Sequence, residues 1–186
     1  MNEVIKTILE RRSVRRYEDR PVSREDLETL VKCGQYAASA MGFQPWHFTV
    51  VTDKAVLDEL NEGNKAIMLA DPNTPAPVLE MIRNGTFDTY RGAPCAILVS
   101  GEGTDPNTVA SCANAVENMA IAARSLGLDS CYLASYQVCL NAPSGEKLKE
   151  KLGIPAGFVP NFALSVGYGA ESPEPAPRRE GTVNWL

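Results

Sequence analysis

The stretch Pro106-Asn-Thr-Val-Ala-Ser-Cys-Ala-Asn-Ala-Val-Glu-Asn-Met-Ala-Ile-Ala-Ala-Arg-Ser-Leu-Gly127 sets the architecture of this chain. Pro106 suits a first helical turn and Gly127 a stop just past the end, so the pattern predicts one helix over about 106–126. Val109, Ala113, Val116, Met119, Ala120, Ala123 and Leu126 recur at helical spacing and form a stripe. Cys112, Ala115, Ile121 and Ala122 add apolar or small residues on the neighbouring faces. A helix apolar on more than one face is buried on more than one face. At 1.5 Å per residue it runs ~30 Å, about the width of a small domain. It is therefore the central core helix or part of a subunit interface, and its stripe alone implies no ligand.

Shorter elements surround it. A first helix is expected over about 2–12, capped by Asn2, with Val4, Ile5, Ile8 and Leu9 on one face. Ser23-Arg-Glu-Asp26 opens a second over about 23–38, with Leu27, Leu30, Val31 and Gly34 at helical spacing. A third begins near Asp53 and a short one covers about 144–152. Phe48–Val51, Ala96–Ser100, Ser130–Leu133 and Phe162–Val166 are short β-rich runs bounded by Gly, Pro or Asp. Two helices precede any strand, which predicts an α+β fold with helices against a small sheet.

At 186 residues the chain is one domain spanning 1–186, with about 170–186 as a C-terminal tail beginning at the Pro-rich run Glu171–Pro177. Lys and Arg number 18 against 23 Asp and Glu, a net charge of −5. This argues against a nucleic-acid partner, which needs a basic surface to displace counterions. No run approaches the ~20 apolar residues of a membrane span. Five cysteines, no Cys-x-x-Cys pair and a single histidine argue against a zinc site and for buried thiols in a reducing cytoplasm.

Within this acidic chain, Arg11-Arg-Ser-Val-Arg-Arg-Tyr17 sets four arginines in six residues. If the first helix continues, Arg11 with Arg15 and Arg12 with Arg16 each share a face. The cluster is then either a solvated basic helix end or a phosphate clamp, in which guanidinium forks grip phosphate oxygens and Ser13 adds a neutral donor. Ala38-Ser-Ala-Met-Gly-Phe-Gln-Pro-Trp46 combines small residues, a Gly that permits close backbone approach and a Gln that both donates and accepts. A plain helix-to-strand connection reads as well from that chemistry. His47 suits a structural, hydrogen-bonded role better than a base. No carboxylate pair, nucleophile elbow, Rossmann glycine motif or Walker loop is present.

In this order the segments resemble the FMN-dependent nitroreductase family. Arg11-Arg-Ser-x-Arg-x-Tyr17 is similar to its phosphate motif and 38–46 to its Pro-Ser-x-x-Asn-x-Gln-Pro-Trp loop. Arg91-Gly-Ala-Pro-Cys-Ala-Ile97, Ala113 through Leu128, Leu152-Gly-Ile-Pro155 with Val166-Gly-Tyr168, and Arg178-Arg179 before Val183-Asn-Trp-Leu186 follow as in the family. The resemblance implies a nitroreductase-like α+β fold, with a small, mostly antiparallel sheet, in an intertwined homodimer with two FMN sites at its interface. The tail would pack on the partner subunit. Arg11, Arg12, Ser13 and Arg15 would hold the phosphate, with Arg178 or Arg179 closing around it. Ser39 and Gln44 would approach the flavin from either subunit, and Leu133, Ala134 and Ser135 would bring backbone near the ring. The family's Pro and Asn in the loop are Ala38 and Gly42 here, which removes one side-chain hydrogen bond and leaves a Gly42 N–H to replace it.

The function implied is hydride transfer from NADH or NADPH through FMN to a small acceptor such as a nitroaromatic or quinone. It would be ping-pong, with no catalytic side chain and no metal. Residues 61–92 would cover part of the site. Other flavin reactions on the same fold (enone reduction, dehydrogenation, dehalogenation) or a non-catalytic FMN-binding dimer are the alternatives.

Overall fold

Four strands form a single sheet in a computed structural model that describes residues 1–186. They are β1 (Trp46–Val51), β2 (Cys95–Glu102), β3 (Asp129–Leu133) and β4 (Phe158–Gly167). Their order is β1-β2-β4-β3 and every neighbouring pair is antiparallel. The α+β class expected from the sequence is thus the fold observed. Side chains of β2 alternate between two cores: Cys95, Ile97 and Val99 enter one, Ala96 and Leu98 the other. Covering on both faces explains why Ala96-Ile-Leu-Val99 shows no polar alternation in sequence.

Six helices surround the sheet: α1 (Glu3–Glu10), α2 (Arg24–Gln35), α3 (Lys54–Ala70), α4 (Ala76–Arg83), α5 (Pro106–Ser125) and α6 (Glu146–Lys151). Three expected caps are made. Asn2 Oδ1 accepts from the Ile5 N–H, Ser23 Oγ from the Asp26 N–H and Asp53 Oδ1 from the Ala55 N–H, at 2.8–3.0 Å. The sequence pattern did not reveal α4, an eight-residue helix whose apolar residues Val78, Leu79, Met81 and Ile82 are only half-buried.

Helices α2 and α5 cover one face of the sheet. Cys112, Val116, Met119, Ala120 and Ala123 of α5 pack with Leu27 and Leu30 of α2 and with Ile97, Val99, Leu164 and Val166 of the strands. The buried side of α5 is turned from the predicted stripe. Val109 and Ala113 are half-buried and Leu126 is exposed, while Thr108, Ser111 and Cys112 point inward. The turn has a long-range cause: Ser111 Oγ accepts from the Ala40 N–H at 3.3 Å, anchoring α5 to the loop before β1. Gly34 lets α2 lie close, since a Cβ there would stand 3.1 Å from Met119 Cγ and Phe48 Cε1.

On the opposite face, Leu57 and Leu60 of α3 join Leu98, Leu133, Tyr136, Leu140 and Ile154. Helix α1 lies outside both layers and buries only Thr7; Val4, Ile5, Ile8 and Leu9 are 47–64% exposed. Loose ion pairs hold its end: Arg124 stands 3.6 Å from Glu10 and 3.7 Å from Asp129. No helix is long and apolar enough to cross a membrane. All five cysteines are free, four of them buried, and no His/Cys/Asp/Glu group is arranged to hold a metal.

Candidate functional site

The arginine cluster does not continue α1. The helix stops at Glu10, and Arg11 caps it with its N–H on Thr7 O at 2.9 Å and a ψ of 132° that leaves helical space. The chain then runs extended beside β3 and β4. The Val14 N–H donates to Ser130 O at 3.0 Å, Ser13 bridges Ser130, and Tyr17 bridges Gly169. The cause is Val14, a β-branched residue 1% exposed, whose burial outweighs the option of one more helical turn. The expected i,i+4 arginine pairs on one helical face are therefore absent.

Each arginine has its own partner. Arg12 Nη1 donates to Leu9 O at 2.6 Å and Arg11 O at 2.8 Å, closing the end of α1. Arg16 Nε donates to Glu171 Oε2 at 3.0 Å, and the Arg15 N–H donates to the other oxygen of that carboxylate at 2.7 Å. These two bonds hold the Glu171 carboxyl below its ordinary range. Arg11 stands 3.6 Å from Glu117 on α5. The Arg15 guanidinium bonds only Ser13 O, at 3.2 Å.

A further arginine joins them. Arg91 opens the Arg91–Ile97 motif that leads into β2, and no sequence pattern assigns it a role. It sits in a turn fixed by Asp88, whose carboxylate accepts from the Tyr90 N–H at 2.8 Å and the Gly92 N–H at 2.6 Å. Arg91 takes a left-handed φ of 62°, a conformation uncommon outside Gly. Its Nε is buried and has no hydrogen-bond partner, and its guanidinium forms no ion pair. Burial pushes the Cys131 thiol up, while the positive fields of Arg15, Arg91 and Arg11 oppose that rise. Arg15, Arg91 and Arg11, from two distant segments, thus all act on the Cys131 thiol of β3 through their charge. The signal legible in sequence was an Asp three residues before Arg-Gly in a turn-rich stretch.

Leu133 ends the same strand and is buried, and Ala134 and Ser135, just beyond it, are exposed. The loop 38–46 lies elsewhere. It feeds β1, at the opposite edge of the sheet from β3. Three strand spacings of ~4.8 Å separate those edges by roughly 14 Å. Within one chain, Ser39 and Gln44 are not brought to the arginines. Ser39 Oγ accepts from the Gln44 N–H at 3.1 Å, and the loop carries left-handed Met41, Gly42 and Gln44 at φ of 53°, 70° and 50°. Gly42 takes that conformation at no steric cost, as an Asn would at little. Arg178 donates to Ala176 O within the exposed tail, and neither it nor Arg179 contacts the cluster. The His47 side chain makes no hydrogen bond, contrary to expectation; it packs edge-on to Phe158, with ring centroids 6.0 Å apart.

The fold is an α+β scaffold whose extended strip 11–17 carries Arg11, Arg12, Arg15 and Arg16 along the β3 and β4 side of the sheet. The Nitroreductase family model matches residues 8–168, and the chain belongs to that family. It is 34% identical over 171 residues to an Archaeoglobus fulgidus protein provisionally named NADH dehydrogenase/NAD(P)H nitroreductase, covering 90% of this chain and 86% of that one. It is 29% identical to the FMN reductase (NADPH) of Bacillus subtilis, over 96% of this chain and 70% of that one. A crystal structure of a nitroreductase with bound FMN from Bacteroides fragilis superposes with a TM-score of 0.92 at 32% identity, covering 100% of both chains.

Proposed function

We propose that this chain is an FMN-dependent oxidoreductase that passes reducing equivalents from NADH or NADPH to a small acceptor such as a nitroaromatic or a quinone. The observation that carries the reading is a set of unpaired guanidinium groups: Arg91 Nε is buried without a hydrogen-bond partner, and the Arg15 guanidinium bonds only a backbone oxygen, in a chain of net charge −5. A buried guanidinium nitrogen needs an acceptor. The phosphate of FMN supplies roughly two negative charges and oxygens suited to guanidinium forks. The donor set therefore fits the cofactor, and membership in the Nitroreductase family supports the same assignment.

Bound FMN would supply the hydride and electron transfer between nicotinamide and acceptor. Arg11, Ser13 and Arg15 grip the phosphate, Arg91 adds charge from across β3, and Arg178 or Arg179 closes over from the tail. Arg12 acts indirectly, by ending α1 where the strip must begin. Leu133, Ala134 and Ser135 offer backbone to the ring. No side chain moves a proton at a reacting atom; a quinone acceptor draws its second proton from water. Donor and acceptor use one open face in turn, which makes the kinetics ping-pong.

The active unit is a homodimer in this reading. Ser39 and Gln44 approach the flavin from a second copy in this reading, since within one chain no hydrogen bond or ion pair joins them to the arginines. The open apolar face of α1 supports that assembly, as do exposed Tyr36, Met41 and Phe43. Residues 1–186 act as one domain, and the tail, with Val183, Trp185 and Leu186 exposed, packs on the partner. Free thiols suit a cytoplasmic location.

The test is a visible spectrum of the protein with FMN, followed by NADH or NADPH without oxygen and then a quinone or nitroaromatic. Uptake of FMN, bleaching and recovery are expected. No uptake in excess FMN overturns the reading, and uptake without bleaching reduces it to a flavin-binding protein.

A further inference from the structure

Asn64 is a fully buried polar residue in the middle of α3, on the face that also carries Leu57 and Leu60. A carboxamide in that position is costly unless its groups are paired. Its partners all lie on two irregular segments. Nδ2 donates to Tyr136 O at 2.9 Å and to Thr89 Oγ1 at 3.3 Å, and Oδ1 accepts from the Cys139 N–H at 2.9 Å. One turn earlier, Asn61 Oδ1 accepts from the Thr89 N–H at 2.9 Å. The carboxamide therefore ties the loop 134–141, which continues from β3, to the turn 88–92, which presents Arg91.

Those segments share another property. The three buried side-chain atoms without a hydrogen-bond partner are Tyr90 Oη, Arg91 Nε and Gln137 Oε1, and all lie on one or the other. Elsewhere buried side-chain polar groups are paired. Both segments thus hold polar groups that the chain itself does not complete, and one buried residue sets their separation.

We propose that Asn64 is a positioning residue of the flavin site: by fixing the 134–141 loop against the 88–92 turn, it holds the Arg91 guanidinium where the cofactor meets it. The proposal rests on the FMN reading above. A residue serving only the core would alter stability and leave a bound flavin's environment unchanged. A positioning residue changes cofactor affinity through Arg91.

The experiment titrates FMN into the full-length apo protein by fluorescence quenching. It compares the wild type with Asn64→Ala, Arg91→Ala and the double variant, and records the visible band of the bound flavin and the thermal midpoint of each apo protein. Asn64→Ala is expected to weaken FMN at least tenfold and to shift the flavin band. The double variant is expected to bind no more weakly than Arg91→Ala alone, the mark of two residues acting as one unit. Unchanged affinity in a folded Asn64→Ala protein overturns the proposal, and so does a loss that adds in full to that of Arg91→Ala. Should Asn64→Ala fail to fold, Asn61→Ala, which loses only the Thr89 contact, decides: it is expected to weaken FMN a few-fold, again without adding to Arg91→Ala, and no change overturns the proposal. A wild type that takes up no FMN removes the parent reading and this one together. A wild type that binds while Asn64→Ala is unaltered removes only this one.

Discussion

The interior and the rim of this protein are finished to different degrees. Around α5, β2 and β4 the chain completes itself: Ile97, Leu98, Val116, Met119 and Leu164 are wholly buried, with neighbours on both faces of the sheet. The rim, made of α1, the strip 11–17, the loop 38–46 and the turn 88–92, does not. It holds the non-Gly residues with left-handed backbone, Met41, Gln44 and Arg91. It also holds the open stripe of α1 and a guanidinium nitrogen with no partner. Strained or unpaired groups persist where something beyond the local chain completes them. A close-packed core needs no ligand, whereas this rim leaves the groups that the proposed cofactor and second copy would complete.

The largest test of that contrast is in the interior. Met119, with no exposed surface, touches both α2 and the sheet layer. Met119→Ala should cost ~4 kcal/mol, near the upper part of the range for such truncations, read as a lower urea midpoint at unchanged m. The equivalent test outside is Ile8→Glu on α1, 47% exposed in the single chain. It should leave the circular dichroism of the protomer intact and move sedimentation from dimer to monomer, through ~2–3 kcal/mol of unpaired charge at the interface. A dimer that survives this change would remove α1 from the interface and weaken the contrast.

A smaller effect separates the arginines from one another. Arg15→Ala and Arg91→Ala should each weaken FMN by ~2 kcal/mol, the loss of one charge-assisted contact. Arg16→Ala should leave affinity within about threefold, because Glu171 already occupies that side chain and an exposed pair of this kind contributes little. Fluorescence titration of the four proteins at one salt concentration gives the ranking. Equal losses at Arg15 and Arg16 would mean the cluster acts only as a diffuse positive field.

The same contrast explains what was legible in the sequence. Periodicity and capping chemistry identified α1, α2, α3, α5 and the four strands, because their stripes and caps are local facts. The stripe of α5 was read about one residue out of rotation, because Ser111 and Thr108 turn inward for contacts that no local pattern announces. The run Arg11–Tyr17 looked like more helix, since arginine is a good helix former. Only the docking of Val14 against Ser130, more than a hundred residues away, makes it extended. Arg91 was hidden because the left-handed turn that buries its Nε, fixed by Asp88 and tied to α3 through Thr89, is a tertiary arrangement. The left-handed Met41 and Gln44 carry no signal, being residues that ordinarily avoid such backbone.

The smallest expected effect concerns the tie between strip and tail. Glu171 accepts from the Arg15 N–H and from Arg16 Nε, and both bonds favour its charged form, so its pKa in the folded protein lies below the ordinary 4.5. A carboxylate with a depressed pKa contributes fully above its unfolded value and loses that contribution as pH falls through the folded one. The Arg15 amide should therefore be protected from hydrogen exchange at neutral pH. It should lose a few-fold of that protection as the solution is taken below 4.5. Amides of Leu98 and Leu164, in the buried strands, should show no such step. In Glu171→Gln the neutral amide still accepts from Arg15 but no longer titrates, so the step at Arg15 should vanish, which nuclear magnetic resonance reads residue by residue. If the step persists in that variant, another group controls the strip, and the rim is less dependent on its charged tail contact than this geometry requires.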